Sequence, residues 1–552
     1  MLPDPPLSKR PTAAFFLLAY IVAVAIGAFG VAWARSYQAG FTGADEPAHF
    51  LNSYFVADYL RHHLGTNPMG AAAEFYIHYP KISIGHWPPA YYGILGLLFT
   101  VLPATVAVAF TINLLVAVLP VLGIALALTL LCNRAVAIAG VIVYAVTPLV
   151  FEGCVNFMAD QPLTACVVAA TGLWIAYVCK PGWGKILGFA ILGALAVLIK
   201  GNGGLIALVP VFHIVLTGQW KLLRSAKPYC AALLMVLAVV PWYIVTAKIA
   251  ADGFNYAAGV DYALKALLAN LATLSNNLTP LGVVLALLAI VVEFRQRRQT
   301  PVRWIIVSGM LSMVLATLTL QSIVPVDIVD RYMAPALPAV VVLSALGGHW
   351  VLSWLRRIDA PRAAIALGVV LTLVCSMPGF QHIVGRAPKP DMALNQVSSL
   401  QASGQPVVLA VIDGPTGAEG AFIADRAVHD PQLERYTVRS SKLLSDSNFM
   451  GSSYVLKYAT AQMAADRLRQ LGVQQVVIMR PGYAPAFPHS QQLRDAVAAS
   501  GSGFTLTQSL PHRFRPGVTE VYEAVGAVHP RIAAIRDFGT PAKVANLTKL
   551  KN

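Results

Sequence analysis

The adjacent carboxylates Asp45 and Glu46 follow the first long apolar run of the chain. The chain is 57% hydrophobic and only 12% charged, so two acidic side chains at the end of an apolar run are not expected to be packing residues. Carboxylates at the mouth of a membrane cavity can accept a proton, bind a metal ion or hold a polar substrate. This pair is therefore the first candidate for chemistry.

Further polar side chains mark the ends of other apolar runs. Asp160 precedes one run, Lys200 lies in a glycine-rich turn between two runs, and Arg331 enters another together with Tyr332. Arg binds phosphate oxygens through two parallel hydrogen bonds, and Lys acts as a point charge. Lys200 and Arg331 would therefore suit a phosphate at a bilayer surface, while Asp45 could deprotonate an acceptor hydroxyl.

Several of these residues also have a structural explanation. An Asp such as Asp160 at the start of a helix is an ordinary N-cap, and Asp327 or Asp330 could pair with Arg331 or cap its helix.

A last group of polar residues precedes two consecutive prolines and contains His78, Lys81, His86 and Trp87.

The composition determines the class of protein. The mean hydropathy is +0.65 over 552 residues, and many apolar runs approach the roughly 20 residues that cross a bilayer. The formal charge of +15 could indicate a nucleic-acid partner, but much of the basic excess falls in short loops between apolar runs, where membrane topology explains it. The six cysteines lie in or at the ends of apolar runs without a CxxC spacing, as small core residues do. We expect a polytopic membrane protein and no nucleic-acid partner.

Eleven membrane spans are predicted, and the positive-inside rule orients them. They cover residues 13–34, 105–131, 135–155, 161–179, 186–200, 203–218, 228–247, 272–293, 303–322, 334–354 and 362–380. The basic loops, beginning with Lys9 and Arg10, then all fall on one side, which is the cytoplasm. Asp45, Lys200 and everything after about residue 380 fall on the external side.

Two segments of the external side are predicted to lie at the membrane surface. Residues 87–100 are apolar enough to span, but a full crossing would reverse the charge sorting, so an interfacial or re-entrant helix is predicted. In the external loop 35–87, residues 46–62 have apolar side chains at helical spacing, which predicts an amphipathic helix lying flat on the surface.

The residues after 380 are predicted to form a separate domain. Residues 1–380 would be the transmembrane domain, and residues 381–552 a small soluble α/β domain without disulfides. Its predicted strands cover residues 406–412, 475–480 and 518–525, and its predicted helices cover 419–429, 459–471 and 491–499. The turn at 413–420 opens a helix and is suited to an anion, but it lacks the P-loop lysine, so a structural turn is favoured.

The order of these tracts resembles the GT-C-type membrane glycosyltransferases, in particular the branch that contains the lipid A aminoarabinose transferase and the protein O-mannosyltransferases. The matching tracts are Asp45 and Glu46, Pro88 and Pro89 with Tyr91 and Tyr92, Asp160, Lys200 and Gly201, Pro241 and Trp242, and Arg331 and Tyr332 followed by Pro335 and Pro338. The branch tends to have Arg and Tyr where this chain has Ala48 and His49, and Lys where it has Trp87, so aminoarabinose is not implied as the sugar.

The resemblance implies a GT-C-like fold, a polyprenyl-phosphate-sugar donor and inversion at the anomeric carbon. It implies Asp45 as the catalytic base, and a set of substrate-binding residues, namely Glu46, His49, Lys81, His86, Tyr91, Asp160, Lys200, Arg331 and Tyr332. The expected location is the bacterial inner membrane, with a cytoplasmic N-terminus and a periplasmic C-terminal domain. The expected partners are the donor, membrane lipids, and a glycan, lipid or protein acceptor.

Two alternatives remain at the level of the sequence. A transporter or flippase for lipid-linked saccharides would place charges near mid-membrane and contain internal repeats, whereas the charges here sit at span ends. A metal-dependent variant is also open, because the external loop holds five histidines and two glutamates, namely His49, His62, His63, His78, His86, Glu46 and Glu74. Their spacing matches no metal signature, so no cofactor or metal ligand is assigned and a divalent metal is left open.

Overall fold

The computed structural model of the chain describes residues 11–250, 256–357, 361–398, 408–415, 417–430, 433–447, 454–482, 487–526 and 528–539. Lys9 and Arg10, which contribute to the predicted charge sorting, lie outside the described residues, as do residues 406 and 407 of the first predicted strand.

The described residues up to Gly385 are mostly helical. The helices are Ala13–Trp33 (α1), Ser36–Ala39 (α2), Glu46–Asp58 (α3), Pro68–His78 (α4), Ala90–Val101 (α5), Val106–Ala117 (α6), Pro120–Leu131 (α7), Arg134–Val146 (α8), Pro148–Val155 (α9), Asp160–Cys179 (α10), Trp183–Ile199 (α11), Leu208–Thr217 (α12), Ala226–Ala250 (α13), Val260–Gln296 (α14), Pro301–Ile323 (α15), Leu337–Arg357 (α16) and Pro361–Gly385 (α17). Short 3₁₀ helices cover Gly201–Ala207, Trp220–Arg224 and Asp330–Met333, and a π-helical turn covers Tyr59–His63.

The predicted multi-pass membrane architecture is confirmed. Eight helices within the described residues are long and apolar enough to cross a bilayer, and the pair α8 and α9, bent by 60°, would make a ninth. The bend falls at Pro148, which cannot donate the hydrogen bond that a continuous helix requires. All eleven predicted spans coincide with helices, but α11 and the segment Gly201–Thr217 are shorter than a usual span. The number of spans therefore stays a prediction.

The helix that begins beside Asp45 is buried rather than flat on the surface. Helix α3 packs against α5 on one side, and ten of its thirteen residues are buried. The amphipathic pattern correctly indicates a helix. The prediction that this helix lies on a membrane surface is wrong, because a helix of the C-terminal domain also packs against it.

The C-terminal region contains the predicted small α/β domain. Its strands are Val408–Asp413 (β1), Arg435–Arg439 (β2), Ser445–Asp446 (β3), Val455–Leu456 (β4), Gln475–Pro481 (β5), Phe504–Pro511 (β6) and Gly517–Ala524 (β7). Its helices are Leu394–Ser398 (α18), Ala418–Val428 (α19), Ser440–Leu443 (α20), Ala461–Leu471 (α21), Pro488–Ala498 (α22) and Ile532–Gly539 (α23). The domain boundary at residue 380 stays a prediction.

The main sheet has the strand order β2-β1-β5-β7-β6. Strands β2, β1 and β5 are parallel, and β7 pairs antiparallel with β5 and β6. All three predicted strands are found within two residues of their predicted ends. Strands β2 and β6 were not predicted, because Arg435–Arg439 and Phe504–Pro511 contain charged or polar residues where a buried strand would be continuously apolar.

The C-terminal domain packs directly on the external loop. The Tyr436 ring stacks on His78 at 4.1 Å between centroids, and the Tyr79 hydroxyl donates to the Asp430 carboxylate. Gly417, at the start of α19, has a φ of +94°, and a Cβ there would lie 2.7 Å from the Thr42 carbonyl oxygen. The segment just before Asp45 is thus enclosed between the membrane helices and the C-terminal domain.

Candidate active site

Asp45 forms an ion pair with Arg331, a residue 286 positions away in the chain. Asp45 occupies the N-cap position of α3, although its side chain makes no capping hydrogen bond. Arg331 Nη2 instead donates to Asp45 Oδ2 at 3.0 Å, and the Arg331 and Asp45 side chains remain 40% and 32% exposed, respectively. The alternative that Arg331 pairs with its neighbours is not found, since Asp330 accepts from Thr273 Oγ1 and Asp327 accepts from the Tyr256 hydroxyl.

The protonation of Asp45 is set by opposing effects. Partial burial raises the pKa of the Asp45 carboxyl, but the charges of His49 and Arg331, together with the Arg331 hydrogen bond, outweigh burial and hold the pKa below its usual value. Burial lowers the pKa of His49 to about 4, so its ring is neutral near pH 7. At neutral pH the positive charges acting on Asp45 are therefore those of Arg331 and Lys81.

A second ion pair joins Asp160 to Lys200. Lys200 Nζ donates to Asp160 Oδ1 at 2.7 Å, and both side chains are largely buried. Asp160 is the first residue of α10, while Lys200 directly follows α11. The N-cap explanation of Asp160 does not apply, because the carboxylate binds Lys200 and the cap position belongs to Ala159.

Tyr332 connects the two ion pairs. Lys200 Nζ lies 4.7 Å from the centroid of the Tyr332 ring, and Arg331 Cζ lies 5.8 Å from it. Both cations thus contact the face of one aromatic ring, which is a favourable electrostatic arrangement. The sequence-predicted residues Asp45, Asp160, Lys200, Arg331 and Tyr332 therefore form one cluster, assembled from four separate parts of the chain.

Two polar atoms of this cluster point into buried space without a partner among the described residues. They are Asp160 Oδ2 and Arg331 Nε. Lys200 and Arg331 bring several N–H donors to the cluster, and Asp45 and Asp160 bring carboxylate oxygens. Such an arrangement can hold an anionic group and a polyhydroxyl group side by side.

His49 and Tyr91 belong to an aromatic group next to this cluster. The His49 Nδ1 lies 2.8 Å from the Tyr92 hydroxyl. The His49 ring contacts Trp87, Tyr91 and Tyr92, with centroids at 4.8, 6.2 and 5.8 Å. His49, Tyr91 and Tyr92 are buried. Their rings therefore form a packed aromatic wall next to the cluster.

Glu46, which is predicted to bind substrate, pairs with a lysine outside this cluster. Both of its carboxylate oxygens accept from Lys389 Nζ, at 2.9 and 3.0 Å. Only 1% of the Glu46 side chain and 4% of the Lys389 side chain are exposed. Both oxygens are thus occupied by Lys389, and the role of Glu46 in substrate binding stays a prediction.

Lys81 and His86 lie in the loop between α4 and α5, at the side of the cluster. Lys81 is partly exposed, and its side chain packs over Gly420 of α19. Burial lowers the pKa of Lys81 to about 8, with Arg439 contributing. His86 is half-buried and its backbone N–H donates to the Ser83 carbonyl. The charge of Lys81 lowers the pKa of Asp45, so Lys81 acts on the cluster electrostatically from its side.

The histidines and glutamates of the external loop do not converge on a common ion. His62 and His63 pair with Asp58, His78 Nδ1 contacts the Arg435 carbonyl, and His49 contacts Tyr92. Within the described residues, the one His/Cys/Asp/Glu group close enough to share an ion lies in the C-terminal domain.

Two residues near the cluster were not predicted. Lys389 pairs with Glu46. A lysine in a loop is usually exposed, so the sequence did not indicate that Lys389 is buried. Tyr243 OH donates to the Val197 carbonyl at 3.3 Å and stands beside Gly201. The only sequence feature that pointed to Tyr243 is its position after Pro241 and Trp242, at the end of a predicted span.

The chain is similar to known proteins mainly through its fold. A family model described as dolichyl-phosphate-mannose-protein mannosyltransferase matches residues 86–245. This segment includes His86, Tyr91, Asp160 and Lys200, but neither Asp45 nor Arg331. No curated protein matches the sequence of the chain significantly.

Three solved structures illustrate the likeness. ArnT from Cupriavidus metallidurans bound to undecaprenyl phosphate superposes with a TM-score of 0.51 and 12% identity, over 93% of this chain and 98% of that one. The Archaeoglobus fulgidus oligosaccharyltransferase tethered with an acceptor peptide containing the NVT sequon gives 0.53 and 13%, over 84% and 69%. The arabinofuranosyltransferase AftD from Mycobacteria gives 0.51 and 14%, over 94% of this chain but 40% of that one. The chain thus has the GT-C-type architecture expected from its sequence.

Proposed function

We propose that this protein is a membrane glycosyltransferase that moves a sugar from a polyprenyl-phosphate-linked donor to an acceptor hydroxyl. The transfer inverts the anomeric carbon, and Asp45 is the base. The observation that carries the proposal is the convergence of Asp45, Arg331, Tyr332, Lys200 and Asp160 at helix ends in a GT-C-type fold. The substrate class is supported by the similar ArnT structure, which was solved with a polyprenyl phosphate, undecaprenyl phosphate.

The cations of the cluster hold the donor phosphate in this proposal. Arg331 and Lys200 are near enough to share one aromatic ring, Tyr332, so one phosphate between them can accept hydrogen bonds from both. Lys200 is held in place by Asp160 at 2.7 Å, and the unpartnered Arg331 Nε offers a further donor. Their positive charge stabilises the phosphate as it leaves with the electron pair of the broken bond.

Phosphate binding also prepares Asp45 to act as the base. A donor phosphate competes with Asp45 for the Arg331 guanidinium, and losing that hydrogen bond raises the pKa of the Asp45 carboxyl. The carboxylate then accepts the proton of the acceptor hydroxyl as its oxygen attacks the anomeric carbon and the bond from that carbon to the phosphate oxygen breaks. One carboxylate suffices, because a single displacement needs one base and one leaving group.

The sugar is held by the wall of aromatic rings next to the cluster. His49, Trp87, Tyr91 and Tyr92 present ring faces and a histidine–tyrosine hydrogen bond, and Asp160 Oδ2 has capacity to accept from a sugar hydroxyl. Lys81 and His86 flank the entrance in this arrangement. Ala48, His49 and Trp87 stand where the branch tends to have Arg, Tyr and Lys, which favours a sugar other than aminoarabinose.

The proposed orientation places the reaction on the external face of a bacterial inner membrane. The N-terminus is cytoplasmic and the C-terminal domain is periplasmic, as the charge sorting predicts. The acceptor is a glycan, a lipid or a protein that reaches Asp45 from the external side.

The test is transfer of labelled sugar from a panel of polyprenyl-phosphate-sugar donors in membranes that contain the protein. Wild type is compared with Asp45→Asn, and with Asp58→Asn as the matched control. Asp58 lies on the same helix, α3, but pairs with His62 and His63. We expect one donor to be used, with label lost in Asp45→Asn and kept in Asp58→Asn.

Two outcomes would contradict the proposal. Turnover retained in Asp45→Asn would exclude Asp45 as the base. No use of any donor by folded wild type, combined with movement of a lipid-linked saccharide across vesicles, would instead favour the flippase alternative.

A further inference from the structure

A pocket of about 310 Å³ opens at one edge of the C-terminal sheet. It lies outside the carboxyl ends of the parallel strands β1 and β5, and its lining includes Asp413, Arg480, Ser490 and Arg494. The chain leaves β1 for β2 on one side and later reaches β5 on the other side. This change of direction is where open α/β sheets usually bind their ligands.

Asp413, the last residue of β1, is an incompletely satisfied carboxylate at the base of this pocket. It is 1% exposed. Its Oδ1 accepts from Ser440 Oγ at 2.5 Å and from Ser490 Oγ at 2.8 Å, but its Oδ2 has no partner among the described residues. A buried carboxylate oxygen without a partner is unfavourable.

His489, on helix α22, faces Asp413 without a hydrogen bond. Its Nε2 lies 3.7 Å from Asp413 Oδ1, which is too long for a hydrogen bond, and this nitrogen is buried and unpartnered in the described part of the chain. Its Nδ1 lies 2.9 Å from the Tyr454 hydroxyl. Histidines that bind metals commonly donate their second ring N–H to an oxygen in this way.

Glu419, on helix α19, completes the group. One oxygen of Glu419, one of Asp413 and one nitrogen of His489 all lie within 4.8 Å of one another, and all three residues are buried. Glu419 is held in position by the Ser441 N–H at 3.0 Å and by Arg439 Nε at 2.7 Å. The group thus contains two carboxylates, one of them neutralised by Arg439.

We propose that Asp413, Glu419 and His489 bind one divalent cation of the zinc type. Imidazole nitrogen and carboxylate oxygen bind Zn²⁺ at about 2.0–2.2 Å in tetrahedral geometry, which places two ligand atoms roughly 3.3 Å apart. The separation of 3.7 Å between His489 Nε2 and Asp413 Oδ1 needs only a small closure to reach this value. A cation there would give His489 Nε2 a partner and would balance the charge of the buried Asp413 carboxylate, whose Oδ2 has none among the described residues.

The proposed cation would stabilise the domain that covers the candidate active site. It would link the end of β1 to α19 and α22. Gly417, the N-cap of α19, packs its backbone against Thr42 and Gly43, which lie just before Asp45. The site is distinct from the donor site, and its existence does not depend on the proposed function.

The test measures Zn²⁺ binding to the full-length protein in detergent after chelation and dialysis. Bound zinc is quantified by elemental analysis at increasing ZnCl₂ for wild type, Asp413→Asn and His489→Gln. His62→Gln is the matched control, because the exposed group of Asp58, His62 and His63 could also attract zinc. We expect one high-affinity ion per chain in wild type and in His62→Gln, and affinity lower by about tenfold or more in the other two variants.

A second measurement covers the case in which Asp413→Asn does not fold. His489→Gln, which removes the unpartnered Nε2 together with the Nδ1 contact to Tyr454, is then compared with wild type by the visible absorption of bound Co²⁺. A wild-type spectrum typical of four-coordinate cobalt, lost in His489→Gln, supports the site. The proposal is overturned if wild type binds no ion beyond what His62→Gln loses, or if His489→Gln binds zinc as tightly as wild type.

Discussion

Asp45 and Glu46 are neighbours in the chain, yet they form two ion pairs of opposite character. The pair of Asp45 with Arg331 keeps about a third of its surface exposed, whereas the pair of Glu46 with Lys389 is almost completely enclosed. A ligand can reach the Arg331 guanidinium in the first pair. In the second pair, both carboxylate oxygens of Glu46 accept hydrogen bonds from the Lys389 ammonium group.

This difference shows that two adjacent acidic residues can have separate roles, one in the reaction and one in the stability of the fold. Successive residues at the start of a helix point in different directions, so Asp45 faces the cluster while Glu46 faces the C-terminal domain. An exposed ion pair contributes little to stability, which leaves Asp45 free to change partners. A buried pair is costly to break, because the remaining charge stays unpaired and desolvated. We therefore expect Asp45 to govern activity and Glu46 to govern stability.

The largest expected effect is the loss of transfer in Asp45→Asn. Removing a general base usually lowers turnover by about 10² to 10⁴-fold, while loss of a partly exposed ion pair changes stability by only about 0–1 kcal/mol. Turnover and the apparent melting temperature are measured on the same preparations. A large drop in melting temperature would show that Asp45 has the structural role assigned here to Glu46.

Glu46→Gln is expected to give the opposite result. Leaving Lys389 buried without its anion should destabilise the protein by about 3–5 kcal/mol, and turnover per folded molecule should fall much less than in Asp45→Asn. Thermal unfolding in detergent measures the first effect. The double variant Glu46→Leu with Lys389→Met removes both charges and should recover much of the stability; failure of Glu46→Gln to lower the melting temperature would contradict the assignment.

Asp160→Asn should have a smaller effect, on donor binding. The asparagine keeps the shape of the side chain but loses the charge that holds Lys200, and a hydrogen bond to a charged group contributes about 1.5–3 kcal/mol. We expect KM for the donor to rise by about tenfold, with a smaller change in kcat. Asp327→Asn, whose carboxylate contacts Tyr256 instead, is the control. An unchanged KM in Asp160→Asn would contradict the proposal that Lys200 binds the donor phosphate.

The sequence predicted much of this arrangement, and its errors have a physical cause. Hydropathy located every long helix, because about 20 apolar residues are needed to cross a bilayer. The charges at the ends of those helices located Asp160, Lys200 and Arg331. Which of Asp45 and Glu46 faces the cluster could not be predicted, because that depends on Lys389, which lies 343 residues further along the chain.

The same reasoning applies to helix α3 and to the cation site. The pattern of apolar residues identified α3 as a helix, but its burial depends on contact with α19, a helix of another domain. Asp413, Glu419 and His489 are brought together by the sheet order, and their spacing in the chain carries no metal signature. In both cases the decisive contacts are long-range ones, which local sequence patterns do not encode.

The smallest expected effect is a shift of the pH profile in Arg331→Gln. It is also the most direct test of the ion pair between Asp45 and Arg331. Asp45 must be unprotonated to accept a proton, so transfer is lost as pH falls through its pKa. In wild type the charges of His49 and Arg331 hold that pKa below its usual value, against the effect of burial, so the acid limb lies at low pH. Removing the Arg331 charge and hydrogen bond raises the pKa of Asp45, and the acid limb of kcat/KM should move to higher pH.

Lys81→Met serves as the comparison for that shift. Lys81 also lowers the pKa of Asp45, but it is the weakest of the contributing charges and acts without a hydrogen bond to the carboxylate, so its removal should move the acid limb in the same direction by less. Profiles normalised to their own maxima separate these shifts from changes in overall rate. An acid limb that stays in place in Arg331→Gln would mean that the group titrating in the reaction is not Asp45.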